Sequence, residues 1–206
     1  MSDKDNPFGE KYCIMSKKEF DMINNTYKEN RRKKIFEIAI LGILTALYVV
    51  CSLTLKIPMG IGNISLDMGY IVLTVACMKY GWKGCIVGGL GACIESILFS
   101  AYGISYGWIV MNIIIGLIVG FAFMFIKIQK PIVKYIVFGC IIIFSCLIGV
   151  AAKTVIECTL YSIPYAVKIP KSAVAWGIDS LVMLVGMPIG EKISSYNRRR
   201  SNDNKI

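Results

Sequence analysis

The chain has 206 residues, 56% of them hydrophobic and 17% charged, with 23 Lys and Arg against 13 Asp and Glu for a formal charge of +10. That apolar fraction is above what an ordinary water-soluble domain carries and makes a membrane protein the first expectation. With no histidine and no Cys-x-x-Cys pair among eight cysteines scattered through apolar runs, the usual zinc and haem ligand sets are missing, so neither a metal nor a cofactor is expected.

Residues 1–34 form a basic segment ending in Arg31-Arg32-Lys33-Lys34. No apolar run precedes Ile35, so no cleavable secretory signal is expected. The part of the segment from Lys17 to Lys34 reads equally as an amphipathic helix on an anionic inner leaflet or as a solvated tail. Next come five apolar runs long enough to cross a bilayer as helices: Ile35 to Leu55, Trp82 to Ser100, Ile104 to Ile126, Ile132 to Ala152 and Ser172 to Ile193. A sixth, shorter segment, Met68 to Tyr80, lies between the first two. Breaks fall at Pro58 to Gly62, at Lys130-Pro131, and in the stretch Lys153 to Lys171, which carries Pro164 and Pro170 and reads as an ordered outer loop.

Charge decides whether the short segment spans. With six spans and both termini inside, 19 of the 23 Lys and Arg fall on the cytoplasmic side, leaving Lys56, Lys153, Lys168 and Lys171 outside. Five spans would export one basic terminus. The expectation is therefore an all-α integral membrane protein of six transmembrane helices, N-in and C-in. Its parts are a cytoplasmic segment 1–34, a membrane domain 35–193 and a basic tail 194–206. No nucleic-acid contact is expected, because neither basic end interleaves base-stacking aromatics.

Ionisable groups inside spans are costly and mark candidate sites. On the oriented spans Glu95, Asn112, Lys153, Glu157 and Asp179 all fall in or just above the outer half, with Tyr102, Tyr106, Trp108, Tyr161, Tyr165 and Trp176 at similar depth. Tyr and Trp also anchor membrane interfaces, and Lys153 and Glu157, four residues apart, fit a helix-end ion pair. The polarity points to a cavity open to the outside, with Glu95, Asn112 and Asp179 as polar ligand contacts and Trp108, Tyr102 and Trp176 as stacking surface.

Gly103-Ile-Ser105-Tyr-Gly107 has the form of a hydrolase nucleophile turn, but no histidine exists to activate the serine and the motif joins two helices. It reads as a tight reversal. No Gly-x-x-x-x-Gly-Lys-Ser/Thr loop is present either, so any ATP hydrolysis belongs to another subunit. Small residues four apart, Gly42 and Ala46, Gly84 and Gly88, Gly116 and Gly120, mark faces where helices approach closely. Around Gly42 and Ala46 the neighbours are bulky, which fits docking of another protein.

The runs Ala39-Ile-Leu-Gly-Ile-Leu-Thr-Ala46, Lys56-Ile-Pro-Met-Gly-Ile-Gly-Asn-Ile-Ser65-Leu66 and Met78-Lys-Tyr-Gly-Trp-Lys-Gly-Cys-Ile-Val-Gly-Gly-Leu-Gly91 together resemble the substrate-binding S component of an energy-coupling factor (ECF) transporter. The resemblance implies a six-helix bundle that captures a vitamin or similar micronutrient at the outer face of the bacterial cytoplasmic membrane. It also implies partners: a membrane coupling subunit and two ATPase subunits, which use the ATP. In the family a small-residue motif on the first helix docks to the coupling subunit, here at Gly42 and Ala46, and the loop after it acts as a lid, here Pro58 to Asn63. The ligand itself is not fixed by these runs. Two alternatives stay open, a stand-alone proton-coupled secondary transporter using Glu95 or Asp179, and an intramembrane enzyme.

Overall fold

The computed structural model describes residues 17–55, 57–58, 65–99, 104–126, 128 and 130–203. Within them lie six α-helices: α1 (Lys17–Thr54), α2 (Gly69–Tyr80), α3 (Gly84–Phe99), α4 (Tyr106–Phe125), α5 (Pro131–Tyr161) and α6 (Tyr165–Asp203). Between α1 and α2 a short antiparallel pair, β1 (Ile57–Pro58) and β2 (Ser65–Leu66), places Ile57 opposite Leu66. Two compact units divide the chain, Met1–Ile40 and Leu41–Ile206. In the first, the start of α1 carries an exposed Lys33–Glu29 ion pair at 2.8 Å.

Five stretches are long and apolar enough to cross a membrane: Thr26–Thr54, Gly69–Leu98, Tyr106–Phe125, Ile132–Tyr161 and Tyr165–Ile193. The second joins α2 to α3 through a 3-10 turn, Gly81–Lys83. It is a hairpin rather than one rod. Gly84 backs onto Cys77 and Gly88, one turn later in α3, onto Leu73, one turn earlier in α2. Antiparallel packing of that kind requires a reversal, which occurs at Gly81 with φ +60, a conformation glycine adopts without a side-chain clash. The 12 residues of α2 measure about 18 Å at the usual helical rise.

The other helices keep alternating. Gly116 of α4 meets Cys85 of α3 while Gly89 meets Ile113, an antiparallel register. Gly149 of α5 meets Ile115 and Gly107 of α4 meets Lys153, again antiparallel. Gly186 and Gly190 of α6 meet Ile71 with Thr74 and Val75 with Met78, so α6 runs parallel to α2. Small residues at these crossings let backbones approach and gain dispersion contacts where no hydrophobic effect operates between lipid-solvated helices.

The expected outer loop from Lys153 to Lys171 is mostly helix. α5 continues to Tyr161, where Ser162 takes the left-handed conformation, φ 52, that commonly closes a helix. The carbonyl of Pro164 then accepts the N–H groups of Val167 and Lys168, starting α6 seven residues before the predicted Ser172. Pro170 lies inside that first stretch and does not stop it. At the opposite end α5 begins with Pro131 in its first turn, where a missing N–H costs nothing.

Tyr48, Tyr70, Leu73, Met111, Ile115, Phe138, Ile142 and Met183 fill a core common to the helices of the second unit. Large apolar side chains also cover the outside, with Ile132 74%, Phe144 66% and Leu181 64% exposed. An apolar exterior on this scale is stable in lipid and not in water, so the chain is a multi-pass membrane protein.

Candidate functional site

The buried polar side chains converge from several helices. Asn112, on the second turn of α4, is fully buried. Its Nδ2–H donates to the Trp108 carbonyl at 2.9 Å, and its Oδ1 accepts the Tyr48 hydroxyl of α1 at 3.1 Å. One amide N–H of Asn112 is left to offer beyond these two bonds. The ring of Tyr48 packs against Gly91 of α3, which has no room for a side chain there.

Trp108, one turn before Asn112, is the centre of the site. Its indole Nε1–H donates to Glu95 Oε2 at 3.3 Å, and the ammonium of Lys153 lies 4.2 Å from its ring centroid. Edge and face thus match the ring quadrupole, the positive N–H edge meeting a carboxylate and the negative face a cation. Tyr70 approaches the same ring edge-on, with centroids 6.2 Å apart at 67°. Asp179 of α6, 4% exposed, is within electrostatic reach of Lys153 and Asp67.

Asp67 stands where β2 leads into α2. Its Oδ1 accepts the Ser52 hydroxyl of α1 at 2.6 Å and the Gly69 N–H at 2.8 Å, tying the root of the loop to α1 and satisfying an open N–H at the start of α2. Glu157 pairs with Lys168 of α6, and Lys153 lies over the Trp108 ring of α4, so both residues also reach other helices.

Of the residues expected from sequence, Glu95, Trp108 and Asn112 are brought into direct contact, and Asp179 joins them through its charge neighbours. Trp176 is placed differently: its Nε1–H donates to the Ile143 carbonyl of α5 at 3.0 Å, so its polar edge is held by a helix backbone. Tyr102 and residues 59–63 of the expected lid lie outside the described residues; Pro58 pairs with Ser65 in the strand pair. Gly42 and Ala46 are exposed on α1, and nothing lies within 4 Å of where a Gly42 side chain would start. Tyr48, Asp67 and Tyr70 were not expected. Two are tyrosines in apolar runs, a pattern shared with interface anchors, and Asp67 follows a Gly-rich loop where an acid attracts no notice.

Chemically the cluster offers carboxylates for hydrogen-bond donors, an ammonium, an amide and an aromatic face. Ser105 merely precedes α4, and its side chain forms no capping hydrogen bond. Such an arrangement has the groups needed to hold a flat polar molecule.

A family model described as "ECF-type riboflavin transporter, S component" matches residues 32–194. A UPF0397 protein of Clostridium perfringens (strain SM101) is 28% identical over 180 residues, which is 84% of this chain and 94% of that protein. A UPF0397 protein of Enterococcus faecalis is 33% identical over 87 residues, covering 41% of this chain and 46% of its own length. Among solved structures, the S component for biotin from an ECF-type ABC transporter superposes with a TM-score of 0.64 at 16% identity, over 80% of this chain and 93% of that one. At that identity the likeness is one of fold.

Proposed function

The chain belongs to the family of S components of ECF-type riboflavin transporters and is a substrate-specific membrane subunit rather than an enzyme; from this we propose that it captures a vitamin-like heterocycle at the outer face of the cytoplasmic membrane. It then delivers the molecule with a separate membrane coupling subunit and two ATPases. Riboflavin, named by the family model, is the ligand to test first. The observation that carries the reading is the Glu95–Trp108–Asn112 contact with Lys153 on the ring face. It is a buried polar and aromatic site in a chain without histidine or a nucleotide-binding loop.

In this reading the chain crosses the membrane six times with both ends inside. Two supports are the alternating directions of α2 to α6 and the bias of Lys and Arg along the sequence, which six crossings with both ends inside would gather on the cytoplasmic side. The strand pair β1–β2, rooted by Asp67, sits at the base of the lid. Gly42 and Ala46 form the docking face. Uptake follows from differential affinity, high in the outward-open state and low once the loaded subunit has reoriented on its partner.

Mass spectrometry of the detergent-solubilised chain tests the capture step. The expected result is one small heterocyclic molecule retained per chain, or saturable binding of added riboflavin. A chain that retains nothing and binds no riboflavin contradicts the reading.

A further inference from the structure

The hydroxyl of Tyr70 is unusual among the polar groups of the site. The residue is fully buried in the first turn of α2, and its hydroxyl forms no hydrogen bond among the described residues. Leaving a buried hydroxyl unpaired is costly, so a partner supplied from elsewhere is favoured. Its surroundings are polar. Asp179, Tyr48 and Asp67 lie within electrostatic reach, yet the hydroxyl bonds to none of them. The equivalent group of Tyr48 is satisfied by Asn112, at 3.1 Å. The ring of Tyr70 meets the edge of Trp108, whose face carries Lys153.

We propose that Tyr70 is a ligand contact whose hydroxyl donates a hydrogen bond to an acceptor on the captured molecule, while Asp179 takes a neighbouring donor of the same molecule. The ligand class this selects presents an acceptor and a donor side by side, as the amide or imide edge of a heterocycle does. α2 thereby joins α3, α4 and α6 in reading the ligand. The inference rests on the capture function proposed above.

Tyr70→Phe tests it, because the variant keeps the ring and its edge contact and removes only the oxygen. Full-length wild type and variant are compared in detergent, first ligand-free by thermal unfolding and then by titration with riboflavin. A ligand contact predicts an unchanged or higher ligand-free Tm, since an unsatisfied polar atom is gone, together with about tenfold weaker binding. Riboflavin methylated on its imide nitrogen is expected to bind wild type about tenfold more weakly, and Asp179→Asn no more weakly than wild type binds it. A ligand-free Tm lowered by several degrees overturns the proposal, because it makes the hydroxyl a structural group. Unchanged riboflavin affinity in the variant overturns it as well. If wild type itself does not bind riboflavin, the substrate reading falls and Tyr70 is decided on whatever molecule co-purifies. Loss of that molecule from Tyr70→Phe at unchanged Tm supports the contact, and equal retention overturns it.

Discussion

Trp108 holds a cation on its face and an anion on its edge, and both partners come from other helices. Replacing Glu95 by Gln keeps the size and removes the charge that draws a ligand donor. The expected outcome is about tenfold or greater loss of ligand affinity with Tm changed by only a few degrees, read by titration and thermal unfolding. Trp108→Phe removes the N–H while retaining a ring, so it is expected to weaken binding and to leave Glu95 buried without that donor, lowering Tm. Glu95, Asn112 and Asp179 were legible because a polar group inside an apolar run has to be paid for by some partner. Tyr70 and Tyr48 were not, since a tyrosine among Ile and Val reads the same whether it anchors an interface, fills a core or waits for a ligand. Nor did the sequence hold any sign that the Trp176 indole would bond to the Ile143 carbonyl.

The small residues four apart on α1, α3 and α4 are alike in sequence. In the fold they separate. A side chain on Gly116 would begin 2.6 Å from the Cys85 Cα, so this glycine is a close helix crossing, whereas Gly42 faces open space on α1 between exposed bulky neighbours. Gly116→Leu is therefore expected to destabilise by about 1–3 kcal/mol or more through overpacking, seen as a lowered Tm. Gly42→Leu and Ala46→Leu are expected to leave Tm and ligand affinity unchanged and to stop uptake in cells that supply the coupling subunits. Loss of binding in either of the last two contradicts the docking assignment. The hairpin of α2 and α3 shows the same limit in reverse. Met68 to Tyr80 was visible as a short apolar segment that charge set apart as its own span, and the register of Gly84 on Cys77 adds where and how closely the two helices pack after the turn.

At the scale of the whole molecule, the proposed orientation puts both ends inside, and it rests on the alternating directions of α2 to α6 and on the distribution of basic residues along the sequence. Cysteines introduced singly into a cysteine-free background test it. A cysteine replacing Ser162, between α5 and α6, is expected to react with a membrane-impermeant maleimide in intact cells. One replacing Lys83, in the α2–α3 turn, is expected to react only after permeabilisation; labelling of both from outside contradicts six crossings. The bundle as a class was readable from apolar runs and charge because those follow from the bilayer itself. The lengths of α5 and α6 were not, because Pro164 and Pro170 read as loop residues and Pro164 instead caps a helix through its carbonyl. The account as a whole makes this chain a receptor that needs its partners for transport and not for capture. The direct measurement is riboflavin binding to the purified chain alone in lipid nanodiscs without ATP. Saturation at one ligand per chain, weakened about tenfold or more by Glu95→Gln and Asp179→Asn, is the predicted result. Binding of neither riboflavin nor any co-purifying heterocycle, or binding untouched by both substitutions, would contradict the account.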